Sequence, residues 1–368
     1  MRRAPIGPTS AALLLAALTG CFRSDTAPPA SAPAGAGAKS VSAGQLNVYM
    51  WSEYIDPEIP RDFEARTGVR VRVDVYESTE EMIAKLQHAG GAGQYDVVVV
   101  SDHAIPGLVK LGLIRPLDHA KIPNRVHVAE RFADPAYDRG NRHSLPYQWG
   151  TLGLMYRTDR VGDLKPGWAA VFDASAQPGP FVLIDSMRDM FAAALKFQGR
   201  SLNTRDPEEI KAAGELILAA KKSPRAIGFE GGVGGKNKVA SGDAVLAIVY
   251  NGDALRAAAE DDRLAYVIPE EGTLIWVDAM TIPAGAPNPE AAHAFIDYIL
   301  DPRVGARLSN FNQYATPNAA ALEHVNPQDR ANPAIYPPEE VLAKMESMED
   351  VGEATRIYDE VWTAVKSR

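Results

Sequence analysis

Cysteine is almost absent: Cys21 is the only one in 368 residues. No disulfide can close within the chain, so a folded body must be held by packing alone. The rest of the chain also has no thiol to act as a nucleophile or a soft metal ligand. No Gly-x-Ser-x-Gly elbow is present, which removes the usual support for an activated serine on an α/β scaffold. The seven histidines are scattered, with neither His-x-x-x-His nor His-x-His spacing, so no metal site is expected. No adjacent Tyr-Tyr pair exists to hold ferric iron. Long apolar runs are missing beyond the N-terminus. Positive charge is in deficit, with 38 Lys and Arg against 47 Asp and Glu, a formal charge of −9. An acidic chain is a poor partner for nucleic acid or anionic lipid. These absences leave nucleophilic catalysis and a metal site with little support.

The N-terminus has its own pattern. Arg2 and Arg3 precede the compact apolar run 11–18, and Leu18-Thr19-Gly20-Cys21 follows. A basic, then apolar, then small-residue order is an export signal. The run is too short for a stable membrane span, which needs about 20 apolar residues. The Leu-Thr-Gly-Cys quartet resembles the bacterial lipobox, so residues 1–20 are expected to be a lipoprotein signal peptide and Cys21 its lipidated end. Lipidation would also remove the redox hazard of a lone thiol. Residues 21–44 are dominated by Ala, Pro, Gly and Ser and read as a flexible tether. Removing residues 1–20 leaves 348 residues with 36 basic and 47 acidic side chains, a charge of −11. That length suggests two domains.

The body alternates strand and helix. Gln45–Met50 reads as a strand, and Asp56-Pro57 opens a helix with an acidic cap and a proline in the first turn. Val69–Val75 alternates strictly, as a half-buried strand does. Ser78 and Glu81 form a capping box before the apolar positions Met82, Ile83 and Leu86. Tyr95–Val100 is a continuous apolar run, expected of a strand covered on both faces. Further on, Phe181–Ile184 and Ala244–Tyr250 read as strands, and 187–198, 253–260, 289–300 and 352–366 as helices. Asp206-Pro207 and Asp301-Pro302 open two more. The alternation predicts an α/β protein with mostly parallel sheets flanked by helices, in two lobes. Ligands of such sheets bind at the carboxyl ends of strands, and a cleft between lobes can close by hinge motion.

At those strand ends aromatics and acids recur together. Trp51-Ser52-Glu53-Tyr54 follows the first strand, Tyr250-Asn251-Gly252-Asp253 ends a later one, and Trp276 and Asp278 lie two apart on one strand face. Ser101 ends the Val97–Val100 run. An alkyl diamine asks for this combination. Each ammonium needs an anionic or hydroxyl acceptor, and an aromatic face packs on methylenes while attracting a cation by about 0.5–2 kcal/mol. Each residue also has an ordinary structural explanation. Trp51 and Trp276 fit a core, Asp189 can complete a capping box with Ser186, Asp253 can cap a helix, and Glu53 can be a solvated loop charge. The cluster Gly231-Gly232-Val233-Gly234-Gly235-Lys236 has the wrong spacing for a phosphate loop and reads as a surface loop.

Longer segments settle the balance. VYMWSEYIDPEI, VYESTEEMIAKL, YDVVVVSDH, LPYQWGTLGLMYR, IPEEGTLIWVDAMTIP and ATPN occur in the order and spacing of the bacterial spermidine/putrescine-binding proteins of polyamine ABC transporters, which the chain resembles over about residues 45–368. The resemblance implies a type II-like periplasmic-binding-protein fold with a ligand cleft between its lobes. Lobe one should hold 45–151 and 277–322, and lobe two 155–272 and 326–368. It implies a monomeric, extracytoplasmic receptor that delivers a polyamine, putrescine or spermidine, to the membrane permease of an ABC importer. Its only membrane contact would be the lipid on Cys21. The alternative is a receptor of the same fold for another small organic cation or an amino acid. Carried over by position, the ligand residues are Trp51, Ser52, Glu53, Tyr54, Ser101, Asp189, Trp276, Asp278 and Tyr314. Four further ligand positions depart from the spermidine-type pattern. Tyr250 stands where a Trp is usual, His103 where a Tyr is, and Ser186 where an Asp is. Asp253 is an acid typical of putrescine-type members. The departures at Ser186 and Asp253 imply a preference for a diamine over a triamine.

Overall fold

The computed structural model describes residues 44–88, 93–162, 164–231 and 233–368. The expected signal peptide, Cys21 and all of the tether but Gly44 lie outside the described residues. Ten strands form one sheet system. They are β1 (Gln45–Trp51), β2 (Arg70–Tyr76), β3 (Val97–Ser101), β4 (Ser144–Arg157), β5 (Phe181–Ile184), β6 (Ala226–Glu230), β7 (Leu246–Tyr250), β8 (Leu264–Val267), β9 (Leu274–Thr281) and β10 (Glu346–Ser347). Their order is β2-β1-β3-β9-β4-β7-β5-β6, with β8 on β4 and β10 on β9.

The outer parts follow the expected α/β logic. β1 pairs in parallel with β2 and β3, and β5 in parallel with β6 and β7. Helices cover both faces, and their starts are written in the sequence. The Asp206 carboxylate accepts from Glu208 N at the head of the helix Pro207–Lys221, and Asp301 accepts from Arg303 N at the head of Pro302–Asn312. Asp56 accepts from Glu58 N at 2.9 Å, and Ser78 Oγ from Glu81 N at 3.1 Å, so both expected caps form. The unbroken valine run of β3 is fully buried, as a strand covered on both faces must be.

The middle of the sheet differs from the parallel expectation. β9 runs antiparallel to β3 on one side and to β4 on the other, and β4 is antiparallel to β7. The two halves of the sheet are therefore joined through β4 and β9, which cross from one to the other. The sequence reading placed no strand at 144–157, because Pro146, Gly150 and Gly153 interrupt its apolar pattern. Each interruption has a structural cause. Pro146 sits where the β4–β9 register shifts between Pro146 and Gln148, a place where a missing N–H is tolerated. At Gly150 an added Cβ would lie 2.3 Å from Asn251 Oδ1 and 2.5 Å from Trp276 Cζ2, so only glycine lets that indole pack against the strand.

Gly150→Ala should therefore lower stability by about 1–3 kcal/mol, the usual cost of forcing an extra group into a packed interior. Thermal or urea unfolding measures it. A melting curve superimposable on that of the native chain would show that β4 does not require this approach.

Candidate functional site

A cavity of about 130 Å³ lies where the strands end. Its walls come from the residues after β1 (Trp51, Ser52, Tyr54), β2 (Glu77 to Glu80), β3 (Ser101 to His103), β5 (Ile184 to Asp189) and β7 (Tyr250, Asp253). Leu274, Trp276 and Asp278 on β9, with Val233, Tyr314 and Met348, complete it. This is the carboxyl-end placement expected of an open α/β sheet. Cavities on the order of 150 Å³ hold a benzene-sized molecule, so the space suits a small ligand.

Four aromatics make the walls, and they hold one another edge to face. Tyr54 meets Tyr314 at 5.6 Å between centroids, Trp276 meets Tyr314 at 4.9 Å, and Tyr250 meets Trp276 at 5.9 Å, with interplanar angles of 81–82°. Trp51 packs on Tyr76 at 4.4 Å. The core explanation of the tryptophans is thus half right: Trp276 is buried, yet both indoles also line the cavity. The indole N–H groups of Trp51 and Trp276 have no hydrogen-bond partner among the described residues.

The acids are distributed unevenly. Lining carboxylates are Glu77, Glu80, Asp102, Asp185, Asp189, Asp253 and Asp278, against a single lining guanidinium, Arg188. That guanidinium is occupied, since it donates to Glu349 O at 3.2 Å and to Asn203 Oδ1 at 3.3 Å. Asp278 faces Ser101 in the β3–β9 register, and Ser101 Oγ donates to its Oδ1 at 2.6 Å. Burial pushes the Asp278 carboxyl up to about 6, with the Asp102 charge adding to the rise and the Ser101 and Tyr54 hydroxyls opposing it. Asp189 is buried in the first turn of the helix Met187–Phe197. Ser186 occupies the N-cap position there but makes no capping bond, so the capping-box explanation fails. The Asp189 carboxylate instead accepts from the Tyr250 hydroxyl at 2.8 Å. Burial raises its pKa too, against the Ser186 and Tyr250 hydroxyls. Asp253 does not cap its helix, which begins at Asn251; it accepts from Arg256 Nη2 at 2.9 Å. Burial raises its pKa as well, while Arg256 and Lys236 pull it down.

Of the thirteen ligand positions singled out from sequence, twelve line this cavity and Glu53 does not. Glu53 adopts a left-handed φ of 51° in the turn after β1. Its carboxylate accepts from Lys236 Nζ at 3.0 Å and from Arg256 Nη2 at 2.9 Å. Burial alone would raise its pKa, yet the two cations together hold it below its ordinary value. The amine-binding role expected of Glu53 is thus taken up by the protein's own cations. Lys236 belongs to the helix Gly234–Ser241, so the glycine cluster opens a helix and not only a loop. Sequence reasoning passed over Asp102, Met348 and the Glu77–Glu80 segment as lining residues. His103 lies at the rim, its Nδ1 3.7 Å from Asp102 Oδ1. No cluster of His, Cys, Asp or Glu among the described residues has the makings of a metal site.

A two-lobe α/β fold with an acidic, aromatic-walled cavity at its strand ends defines a solute receptor. Residues 58–335 match the family of bacterial extracellular solute-binding proteins, and the chain belongs to that family. Its members and relatives bind solutes for ABC transporters in the periplasm or outside the cell and are not enzymes. A putrescine-binding periplasmic protein of Pseudomonas aeruginosa is 36% identical, aligned over 88% of this chain and 92% of that one. A putrescine/cadaverine-binding protein of the same species is 32% identical, covering 90% and 96%. The solved structure of a putative spermidine/putrescine ABC transporter from Listeria monocytogenes superimposes with a TM-score of 0.79 at 32% identity, covering 88% of this chain and 98% of that one.

The raised Asp278 pKa bears on the stability of the ligand-free protein. The unfolded carboxyl titrates near 3.8 and the folded one near 6. Folding therefore favours the protonated form. The stability this contributes is fully present below about 3.8 and is lost as pH rises through about 6. A rise of that size is worth roughly 3 kcal/mol. Asp278→Asn should raise the ligand-free melting temperature at pH 7.5 and flatten its pH dependence between 4 and 6.5 (about one unfolding transition per half pH unit suffices to trace it). A variant that melts lower than the native protein at pH 7.5 would contradict this.

Proposed function

We propose that the protein captures a small polyamine and delivers it to the permease of an ABC importer. The observation that carries this reading is Asp278: a carboxylate buried among aromatic faces, held by the Ser101 hydroxyl, with no Lys or Arg paired to it among the described residues. A ligand ammonium would supply the missing positive charge, and the methylenes would pack on Trp276, Tyr314 and Trp51. An α-amino acid fits less well, because its carboxylate would meet seven acids and one guanidinium that is already engaged. The names of the relatives, which include putrescine, cadaverine and spermidine receptors, support the same ligand class.

A diamine is the preferred ligand in this reading. Glu53 and Asp253 are already served by Arg256, and Glu53 also by Lys236. Of the four acids picked out from the sequence for the two ends of a diamine, that leaves Asp278 and Asp189 for the two ligand cations. A third ammonium would lack the acid that spermidine-type relatives carry at the position of Ser186, and an unpaired cation in a dry cavity is costly. Lobe one would comprise 45–151 and 277–322, and lobe two 155–272 and 326–368, closing as a monomer. The Glu53 pairing to Lys236 and Arg256 spans those two segments and would hold the closed form. Export would follow from residues 1–20, with a lipid on Cys21 and residues 21–44 as the spacer.

Calorimetric titration of the protein with putrescine, cadaverine, spermidine and spermine tests the reading. Putrescine is expected to bind tightest, and Asp278→Asn to cost about 2 kcal/mol or more, as expected when a charged partner is removed from a desolvated pair. Ser186→Asp should improve spermidine relative to putrescine by about 1 kcal/mol or more, the scale of one charge-assisted hydrogen bond. No heat with any of the four amines would overturn the polyamine assignment. The anchor has its own test: Cys21→Ser should abolish incorporation of labelled palmitate, and a variant that still incorporates it would remove Cys21 as the attachment point.

A further inference from the structure

We propose that Asp102 is a ligand-contacting carboxylate, and that Asp102 and Asp278 together hold one primary ammonium group of the bound amine. This deepens the polyamine reading and rests on it. Asp102 is 1% exposed and lines the cavity. Its Oδ1 accepts from the His103 backbone N–H at 2.7 Å. Its Oδ2 is buried and has no hydrogen-bond partner among the described residues. Among the described residues no lysine or arginine pairs with it, and His103 Nδ1 lies 3.7 Å from Oδ1. A buried carboxylate oxygen without a partner is expensive, and native proteins seldom keep one without a use.

The position gives it that use. Asp102 directly follows Ser101, whose hydroxyl binds Asp278. Its charge is also felt at Asp278, where it adds to the raised pKa. Two carboxylates whose charges act on each other repel, and a cation held by both relieves both. A primary ammonium brings three N–H donors in a compact head. Asp278 on β9, the Ser101 oxygen at the end of β3 and Asp102 in the turn that follows it offer three acceptors. A purely structural role explains less. Asp102 opens the 3-10 turn Asp102–Ala104, but the one backbone bond it accepts there uses Oδ1 alone and leaves Oδ2 without a function.

The test combines titration and melting. Putrescine is titrated into the native protein, Asp102→Asn, Asp278→Asn and the double variant, and the ligand-free forms are melted at the same pH. Asp102→Asn is expected to weaken binding by about tenfold or more, as when one acceptor of a buried charged pair is lost. Its ligand-free form should melt at or above the native temperature, because an unpaired buried charge has been removed. The double variant should lose less than the two single losses multiplied, since both acids serve one ammonium. Asp102→Ser, smaller and also uncharged, repeats the test should the asparagine variant fail to fold. Affinity within about twofold of native in Asp102→Asn overturns the assignment. So does a loss that comes with a lower ligand-free melting temperature in both variants, which marks a structural role. A native protein that takes up no amine overturns the polyamine reading itself, whereas native binding with an unaffected Asp102→Asn overturns only the role of Asp102.

Discussion

Asp278 carries its carboxylate on β9, between Ser101 on β3 and Gln148 on β4. Removing that charge from water costs free energy, and one serine hydroxyl with a neighbouring tyrosine returns only part of it. The sheet tolerates the mismatch because β9 is held on both sides by extensive antiparallel pairing, with buried residues along its whole length. The acid is therefore kept charged at neutral pH in a place the protein alone does not satisfy. A cation entering the cavity meets a pre-formed acceptor whose desolvation has already been completed during folding, which is how a rigid site gains affinity from a single ion pair.

The aromatic frame serves the same end. Tyr54, Tyr314, Trp276 and Tyr250 are locked edge to face, so their rings lose little freedom when a ligand arrives. That lattice depends on the backbone behind it. The Trp276 indole packs against β4 only where Gly150 leaves room. The Tyr250 hydroxyl does two jobs at once, walling the cavity and holding the Asp189 carboxylate. A tryptophan at position 250 would offer a larger face but only an N–H with different reach, so the acid at 189 and the phenol at 250 are best understood as one unit.

Much of this was legible in the sequence because it follows local periodicity. Trp276 and Asp278 lie two apart on a strand, hence on one face, and both line the cavity. Asp206-Pro207 and Asp301-Pro302 mark helix starts through bonds made within two residues. What escaped involves partners far along the chain or breaks in the period. β4 carries a proline and two glycines whose reasons are a register shift and close neighbours from β8 and β9. Asp102 follows Ser101, and strict alternation would point it away from the site. Because β3 ends at Ser101 and a 3-10 turn begins, Asp102 lines the cavity after all. Glu53 meets Lys236 and Arg256, whose positions some 180 to 200 residues further on no local pattern announces.

The internal cations decide which acids are left for a ligand. Lys236 and Arg256 neutralise Glu53, Arg256 also neutralises Asp253, and Lys366 pairs with Asp185 at 2.7 Å. Counting acids at the strand ends therefore overstates the positive charge the cavity needs. The buried lining carboxylates without a Lys or Arg partner among the described residues are Asp102, Asp189 and Asp278. Burial strengthens their attraction for a cation and raises the cost of leaving them bare. A partly exposed pair such as Glu53 with Lys236 contributes less per contact, since water screens it. Its two ends belong to segments far apart in sequence, so its effect falls on the geometry around the cavity more than on affinity. Selectivity for a small cation thus rests on which charges the protein has already answered within itself.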